Sequence, residues 1–455
     1  MGKNRTLHRY SRIYRYARSK RAARRRAIRR QIWLCVAILC SAFLIAAGAR
    51  WLPQAAEDGS GTSGGEGQPS GTGEELAEEN PDIRVLLMTD GYQKETHARA
   101  VLSSESGLVV NWGDREEEVE EKLTVEPEDD RFKEGVIRVR ARDGKVKVET
   151  LHRGYGMPSY AGIIELRVAG EGLVLINELP LETYLEGVVP SEMPASYEPE
   201  ALKAQAVCAR SFACRQMESF GYPEYKAHVN DSTDYQVYGN SKPAESAGEA
   251  VRATAGETVR YQGKVVTTYY YSTSCGRTTN VEAWGTKPGK ANAYLQSVEV
   301  KGKAGDYEKE LPWYRWEARI PKETLSRLIR KNTRKDIGMV EEVKVTKRGP
   351  GDVALAIRVT GREGTVTVKT ENKIRRALGG EGYEIQKQDG TTASSSKLLP
   401  SAFFTVKKEK DCFVIRGGGY GHGIGMSQNG ANEMAKQGMD YREILTLFYQ
   451  GVTIE

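Results

Sequence analysis

Long apolar runs are scarce in this 455-residue chain: mean hydropathy is −0.55, and one stretch alone, Ile32 to Gly48, is long enough to matter, which excludes a multi-span transporter. Cysteine is scarce too. The six cysteines form no CxxC pair and no Cys/His spacing of a zinc ribbon, and no HExxH is present, so the common zinc frameworks are excluded. No Gly-Lys-Ser/Thr marks a phosphate loop. Glycine and proline, 48 and 16, are too few for a collagen-like or wholly disordered chain, and no repeat of fixed period is visible. Acid is missing altogether from residues 1–30, which hold thirteen of the 67 Lys and Arg. The other 54 stand against all 61 acids, so the formal +6 divides into a basic arm of +13 and a body of −7.

The arm abuts an uncharged stretch from Gln31 to Ala49, with Trp33 and Trp51 near its ends. As a helix of about 1.5 Å per residue it reaches roughly 27 Å, close to the hydrocarbon thickness of a bilayer. A cleaved signal peptide has the same order of regions, but the arm is long for one and the apolar run exceeds a typical signal core, so an uncleaved anchor is expected. The cations on the N-terminal side then place the N terminus in the cytoplasm and the body outside. The same arm reads as topogenic charge rather than as a nucleic-acid tail, and no nucleic-acid partner is expected. The predicted organisation is a basic arm 1–31, a transmembrane helix 32–49, a flexible Gly/Ser/Glu-rich linker 50–81 and an exported domain 82–455.

From Ile83 onward, short runs rich in Val and Ile at 83–88, 107–112, 135–141, 145–150, 162–168 and 172–179 predict antiparallel sheet. A firm helix signal enters once, at Pro199-Glu200, where a stretch carries Leu202, Ala206, Ala209 and Ala213 on a small-residue face suited to close approach to a sheet. Further strands are expected at 256–272, 342–345, 354–359 and 365–368, with helices at 322–330 and about 430–436. The fold class is therefore α+β: strand-rich, with a few helices. Cys208 and Cys214 point in different directions around one helix and do not pair within it, while a long-range bridge such as Cys208 with Cys275 stays open.

Three segments look unlike scaffold. In GVVPSEMPASYEPEALKAQAVCARSFA, residues 187–213, Pro190 and Pro194 flank Glu192 and discourage helix at Val189 and Met193, leaving the carboxyl in a stiff, partly apolar turn. Desolvation there would resist ionisation, as a general acid near neutral pH requires, although a Glu in a turn is ordinarily a cap or surface residue. In YYYSTSCGRTTN, residues 269–280, tyrosines precede hydroxyls that suit a polar substrate, and neither Ser272 nor Ser274 sits in a GxSxG elbow. In RGGGYGHGIGMSQNGANEMAKQG, residues 416–438, glycines allow close backbone approach while His422 and Gln428 add polar groups before a helix.

The order and intervals of NELPLETYLEGVVPSEMP, EALKAQAVCARSFA, DSTDYQVY, YYYSTSCGRT and GYGHGIGMSQNGANEMAKQG closely resemble the SpoIID/LytB family over roughly residues 82–455. The resemblance implies a peptidoglycan lytic transglycosylase. It would cut the MurNAc-β-1,4-GlcNAc bond of denuded glycan strands with a 1,6-anhydro product, during engulfment in endospore formation. Glu192 stands at the catalytic-acid position, and Lys203, Arg210, Tyr271, Ser274, His422 and Gln428 at motif positions expected to bind substrate. The implied partners are glycan strands, a SpoIIP-type amidase and a SpoIIM-type membrane protein. The LytB branch implies the alternative of a non-enzymatic amidase activator or scaffold. Some members hold zinc near the stretch HVNDSTDYQVY; Asn230 and Tyr235 stand near those Cys positions, so neither metal nor other cofactor is expected. Cys275, Asn429, Leu447 and Phe448 also depart from the family's pattern. The denuded glycan is taken as neutral, so no basic body is required.

Overall fold

Alternation of inward apolar and outward polar residues builds the first sheet, as in Ile137–Ala141, where Ile137 and Val139 are fully buried and Arg138 and Arg140 are not. The computed structural model describes residues 80–455; the expected arm and span, and most of the linker, lie outside the described residues. Among the described residues no helix is long and apolar enough to cross a membrane.

The sheet has seven strands in the order Val229–Asn230, Asp82–Leu86, Gly172–Pro180, Ile163–Ala169, Ile137–Ala141, Leu108–Trp112 and Arg115–Val119. All neighbours run antiparallel except Val229–Asn230, which lies parallel to Asp82–Leu86. Gly172–Pro180 is covered on both faces: Leu173 and Leu175 enter the main core, Val174 and Ile176 a smaller cluster with Leu86 and Ala227. Seven helices follow among the described residues: α1 Leu181–Glu192, α2 Pro199–Met217, α3 Glu245–Ala253, α4 Lys322–Thr333, α5 Glu371–Leu378, α6 Gln428–Lys436 and α7 Tyr441–Phe448.

Two expectations are corrected here. The stretch before Pro194 is a helix, not a turn: α1 contains Pro190 in its last turn, and only Met193, which precedes Pro194, is extended. Burial of Leu181, Tyr184, Leu185, Val188 and Val189 outweighs the hydrogen bond that Pro190 cannot make. The small residues of α2 serve mainly helices rather than a sheet, since α1, α3, α6 and α7 all pack around it. Alanine on several faces is what allows four helices to close on one.

A second core forms between Trp316 and Gly417. There a five-stranded sheet, in the order Thr392–Ser394, Glu384–Lys387, Trp316–Pro321, Cys412–Gly417 and Phe404–Lys408, shares apolar residues with α4, α5 and a three-stranded meander over Val340–Lys369. Its buried set, including Ile320, Leu328, Ile357 and Phe413, is separate from the main core. The chain then returns, and Met426–Ser427 pairs in parallel with Tyr270–Tyr271. That pairing joins two of the three unusual segments. The four described cysteines are unpaired, so Cys208 and Cys275 make no bridge; the buried Cys208 thiol lies 3.4 Å from the Tyr449 hydroxyl.

Candidate active site

Helix α1 ends at Glu192 and thereby fixes where the carboxyl stands. The Val237 N–H donates to Glu192 Oε1 at 2.6 Å, and the Gln428 side-chain amide donates to the Glu192 carbonyl oxygen at 3.0 Å. Gln428 also donates to Gln205 Oε1 on α2, at 3.3 Å. The Tyr270 hydroxyl faces the same carboxyl and accepts from the Gln236 amide at 3.2 Å, while Tyr184 on α1 donates to Gln236 Oε1 at 3.4 Å. Segments around Val237, Tyr270 and Gln428, distant in sequence, thus converge on the end of α1 and on a Glu192 that keeps partial access to solvent.

Burial pushes the Glu192 carboxyl up to about 7, against the pull of the Val237 N–H and the Tyr270 hydroxyl toward the ionised form. Its place on the last turn of α1 works in the same direction, because the carbonyl end of a helix carries partial negative charge. Among the described residues no cation bonds to it. Near neutral pH the group is therefore divided between acid and base forms, the condition for giving a proton and taking one back.

The loop that offers Val237 is itself anchored by a buried ion pair. Arg153 bonds the Asp231 carboxylate and donates to Met88 O at 2.7 Å, and Asp231 Oδ1 accepts from Met88 N at 2.9 Å. Tyr238, next to Val237, donates to Asn177 Oδ1 at 2.8 Å and packs on Tyr184 and Tyr160. Gly187 is required opposite it, since a Cβ there would lie 2.5 Å from the Tyr238 ring. On the other side, glycines bring the returning chain against the tyrosine strand rather than a ligand. Gly421, at φ +126°, would place a Cβ 2.6 Å from Tyr271 Cβ.

The expected substrate residues separate into two groups. Gln428 and His422 join the neighbourhood of Glu192 and Tyr270. His422 Nε2 donates to Tyr270 O at 2.9 Å and Nδ1 accepts from Ile424 N at 3.1 Å, which fixes the neutral tautomer; burial, then the charge of Arg375, press its pKa down to about 4. The others do not meet Glu192. Arg210 is 1% exposed, with its guanidinium on the Glu182 carboxylate at 2.6 and 2.7 Å and on the Val251 and Glu257 carbonyls, so its charge is spent holding helices together. Lys203 pairs with Glu200 at 2.7 Å, and Glu200 in turn accepts from Tyr441 N at the start of α7. Ser274 is 1% exposed and bonds Glu308 through both its hydroxyl and its N–H. Tyr271 is 5% exposed against His422, and its hydroxyl has no partner among the described residues.

Sequence reasoning missed Tyr270, Gln236, Gln205 and the Val237 N–H. The YYY run and DSTDYQVY marked the segments, and strand alternation implied that Tyr270 and Tyr271 face opposite ways, but nothing local says which faces the acid. Glu308 was missed outright. It is fully buried, with Ser427 Oγ donating to Oε1 at 2.8 Å, and burial raises it to about 7. It ties the tyrosine strand to the first turn of α6, whose cap is Ser427. Of the atypical positions, Asn429 bridges Tyr197 and Thr273, at 2.6 and 3.0 Å, and Asn230 bonds Tyr222 at 2.8 Å. His228 accepts from Arg84 N at 3.1 Å and stacks on Phe220.

The family model described as Stage II sporulation protein, SpoIID, matches residues 169–261, and one described as a domain of unknown function, DUF8618, matches residues 286–425. The chain is 32% identical to Stage II sporulation protein D of Bacillus subtilis over 293 residues, covering 61% of this chain and 75% of that protein. It is 32% identical to an uncharacterised protein of Brachyspira hyodysenteriae, covering 65% of this chain and 72% of that one. A third relative, the amidase enhancer of Bacillus subtilis, is 30% identical over 59% of this chain and 40% of that protein. The matched SpoIID segment contains α1, α2 and the Val237 loop, and on these grounds the chain belongs to the SpoIID family, a family of sporulation proteins.

Proposed function

We propose that this protein is a membrane-anchored lytic transglycosylase acting on peptide-free glycan strands of peptidoglycan during engulfment, with Glu192 as its acid and base. The observation that supports this most is a carboxyl divided between its two forms near neutral pH and held by Val237 and Tyr270 without a cation. Protonated Glu192 gives its proton to the glycosidic oxygen as the bond from muramoyl C1 to that oxygen breaks. The resulting carboxylate then accepts the proton of the muramoyl C6 hydroxyl while O6 bonds to C1. The 1,6-anhydro ring closes, no water is consumed, and the carboxyl is restored. One carboxyl suffices, which fits a site where Glu308 is sealed inside the protein.

The apolar stretch 32–49 would hold the enzyme to the membrane with the basic arm in the cytoplasm, beside a SpoIIP-type amidase that strips the strands and a SpoIIM-type membrane protein. A second reading, an amidase activator, rests on the likeness to the amidase enhancer. The two separate in one experiment. Full-length wild type incubated with peptide-free strands yields 1,6-anhydro ends by mass analysis, and Glu192→Gln yields none. Stimulation of an amidase that is undiminished in Glu192→Gln, with no anhydro product from wild type, would favour the activator.

A further inference from the structure

A cleft of about 640 Å³ lies apart from Glu192, which is not among its lining residues. One wall is the second lobe's sheet, with Arg416 and Lys387; the other is Cys275 and Arg277, just beyond the tyrosine strand. The chain from Tyr270, which faces Glu192, to Cys275 spans no more than about 18 Å even if fully extended, so one glycan strand reaches both places.

The cleft's charges are unequal. Arg277 faces Asp352 at 3.6 Å and Arg416 faces Glu317 at 2.7 Å, which leaves Arg315 and Lys387 in no ion pair among the described residues. Arg315 is exposed; it donates to the Tyr314 and Cys275 carbonyls, at 2.7 and 3.2 Å, and its guanidinium lies 3.9 Å from the centre of the Tyr314 ring, so none of these partners neutralises its charge. Lys387 lies over the Trp313 ring at 5.4 Å and acts at a distance on Asp389, whose carboxylate bonds Thr391 at 2.7 Å rather than the lysine. Trp313 in turn packs on Tyr420, which is 40% exposed. Two cations that bond no carboxylate among the described residues, beside the half-buried Trp313 ring and the exposed Tyr420 ring, suit a ligand with carbon-rich ring faces and regularly placed anions.

A peptide-free strand is such a ligand, and it is not the neutral polymer assumed from sequence. Each muramoyl residue carries a lactyl group whose carboxyl is an uncharged amide while the stem peptide is attached. Removal of the peptide leaves a carboxylate. We infer that this cleft is a second glycan subsite, which binds muramoyl carboxylates through Arg315 and Lys387 and so selects strands already stripped of peptide. This rests on the glycan-cutting reading above and adds the basis of its selectivity. It also gives the second lobe a task, within the matched domain of unknown function.

The test is equilibrium binding to the full-length Glu192→Gln chain, which does not cut. Peptide-free strands are compared with the same strands after their carboxyls are converted to methylamides, with poly(glycerol phosphate) as a competing anion. The free-acid strands should bind roughly tenfold tighter, the usual scale for a charge-assisted contact, and the gap should narrow as salt rises. Lys387→Gln should reduce that preference and Lys387→Gln with Arg315→Gln should abolish it. Should the double variant fail to fold, Lys387→Gln alone decides. Equal binding of acid and methylamide strands, a preference untouched by Lys387→Gln, or stronger binding of the phosphate polymer would overturn the subsite. Because binding is read without turnover, charge selectivity that persists when wild type makes no anhydro product would leave the subsite standing and the lytic reading fallen.

Discussion

Two forces act on Glu192 in opposite senses, and their balance makes a pH prediction. Burial raises its pKa to about 7, while Val237 and Tyr270 favour the ionised form. Tyr270→Phe removes one of the lowering partners, so the pKa rises further and the acid form persists to higher pH. The alkaline limb of the pH–rate profile should move upward by about one pH unit, as for the loss of one hydrogen bond to a charged group, and Tyr271→Phe should not move it. An unmoved limb in Tyr270→Phe would remove Tyr270 from the site. Glu192 itself was legible because its flanking prolines and motif single it out. Arg210 was misplaced for a physical reason: a cation on a helix carries no mark of whether its partner is a substrate or a buried carboxylate, and here Glu182 is the partner. Arg210→Ala leaves Glu182 unpaired beside the helices and should lower stability by about 3–5 kcal/mol in chemical denaturation, as for other broken buried pairs. A change below 1 kcal/mol would return Arg210 to the list of substrate residues.

At the scale of elements, the acid depends on α1 and on the loop after Asp231. Gly187→Ala would push a methyl group into the Tyr238 ring and should destabilise by about 1–3 kcal/mol as overpacking, read from the denaturation midpoint. Rate should fall as well, since Tyr238 adjoins the N–H that holds Glu192. Helix α1 was hidden from sequence by Pro180, Pro190, Pro194 and Gly187, each of which argues locally against helix. Tertiary burial of five apolar residues decides otherwise. Most early strands were legible from their alternation, as Ile137–Ala141 illustrates. The strands Trp316–Pro321 and Cys412–Gly417 were not, because each is bounded by proline, charge or glycine runs and gains its identity only by pairing with the other.

The whole molecule carries the cost of its site. Glu192 and Glu308 each have a folded pKa near 7 against the ordinary carboxyl value of 4.5, so between those values the folded chain binds more protons than the unfolded one. Stability then falls as pH rises from about 4.5 through 7 and levels off above. The loss assigned to Glu192 is at most about 3 kcal/mol. Glu192→Gln should accordingly be more stable than wild type at pH 8 and no more stable at pH 4.5 in urea titrations; equal curves at both pH values would contradict the buried-acid description. The two-core arrangement was not legible because the contacts that define it join residues far apart, such as Ser274 and Ser427, 153 positions from one another. The central claim, that Glu192 closes an intramolecular ring, is tested most directly by cutting peptide-free strands in water enriched in heavy oxygen and weighing the new muramoyl ends. The account predicts ends lighter by one water than a hydrolytic product and free of the heavy isotope. Ends of full hydrolytic mass that carry the label would contradict it.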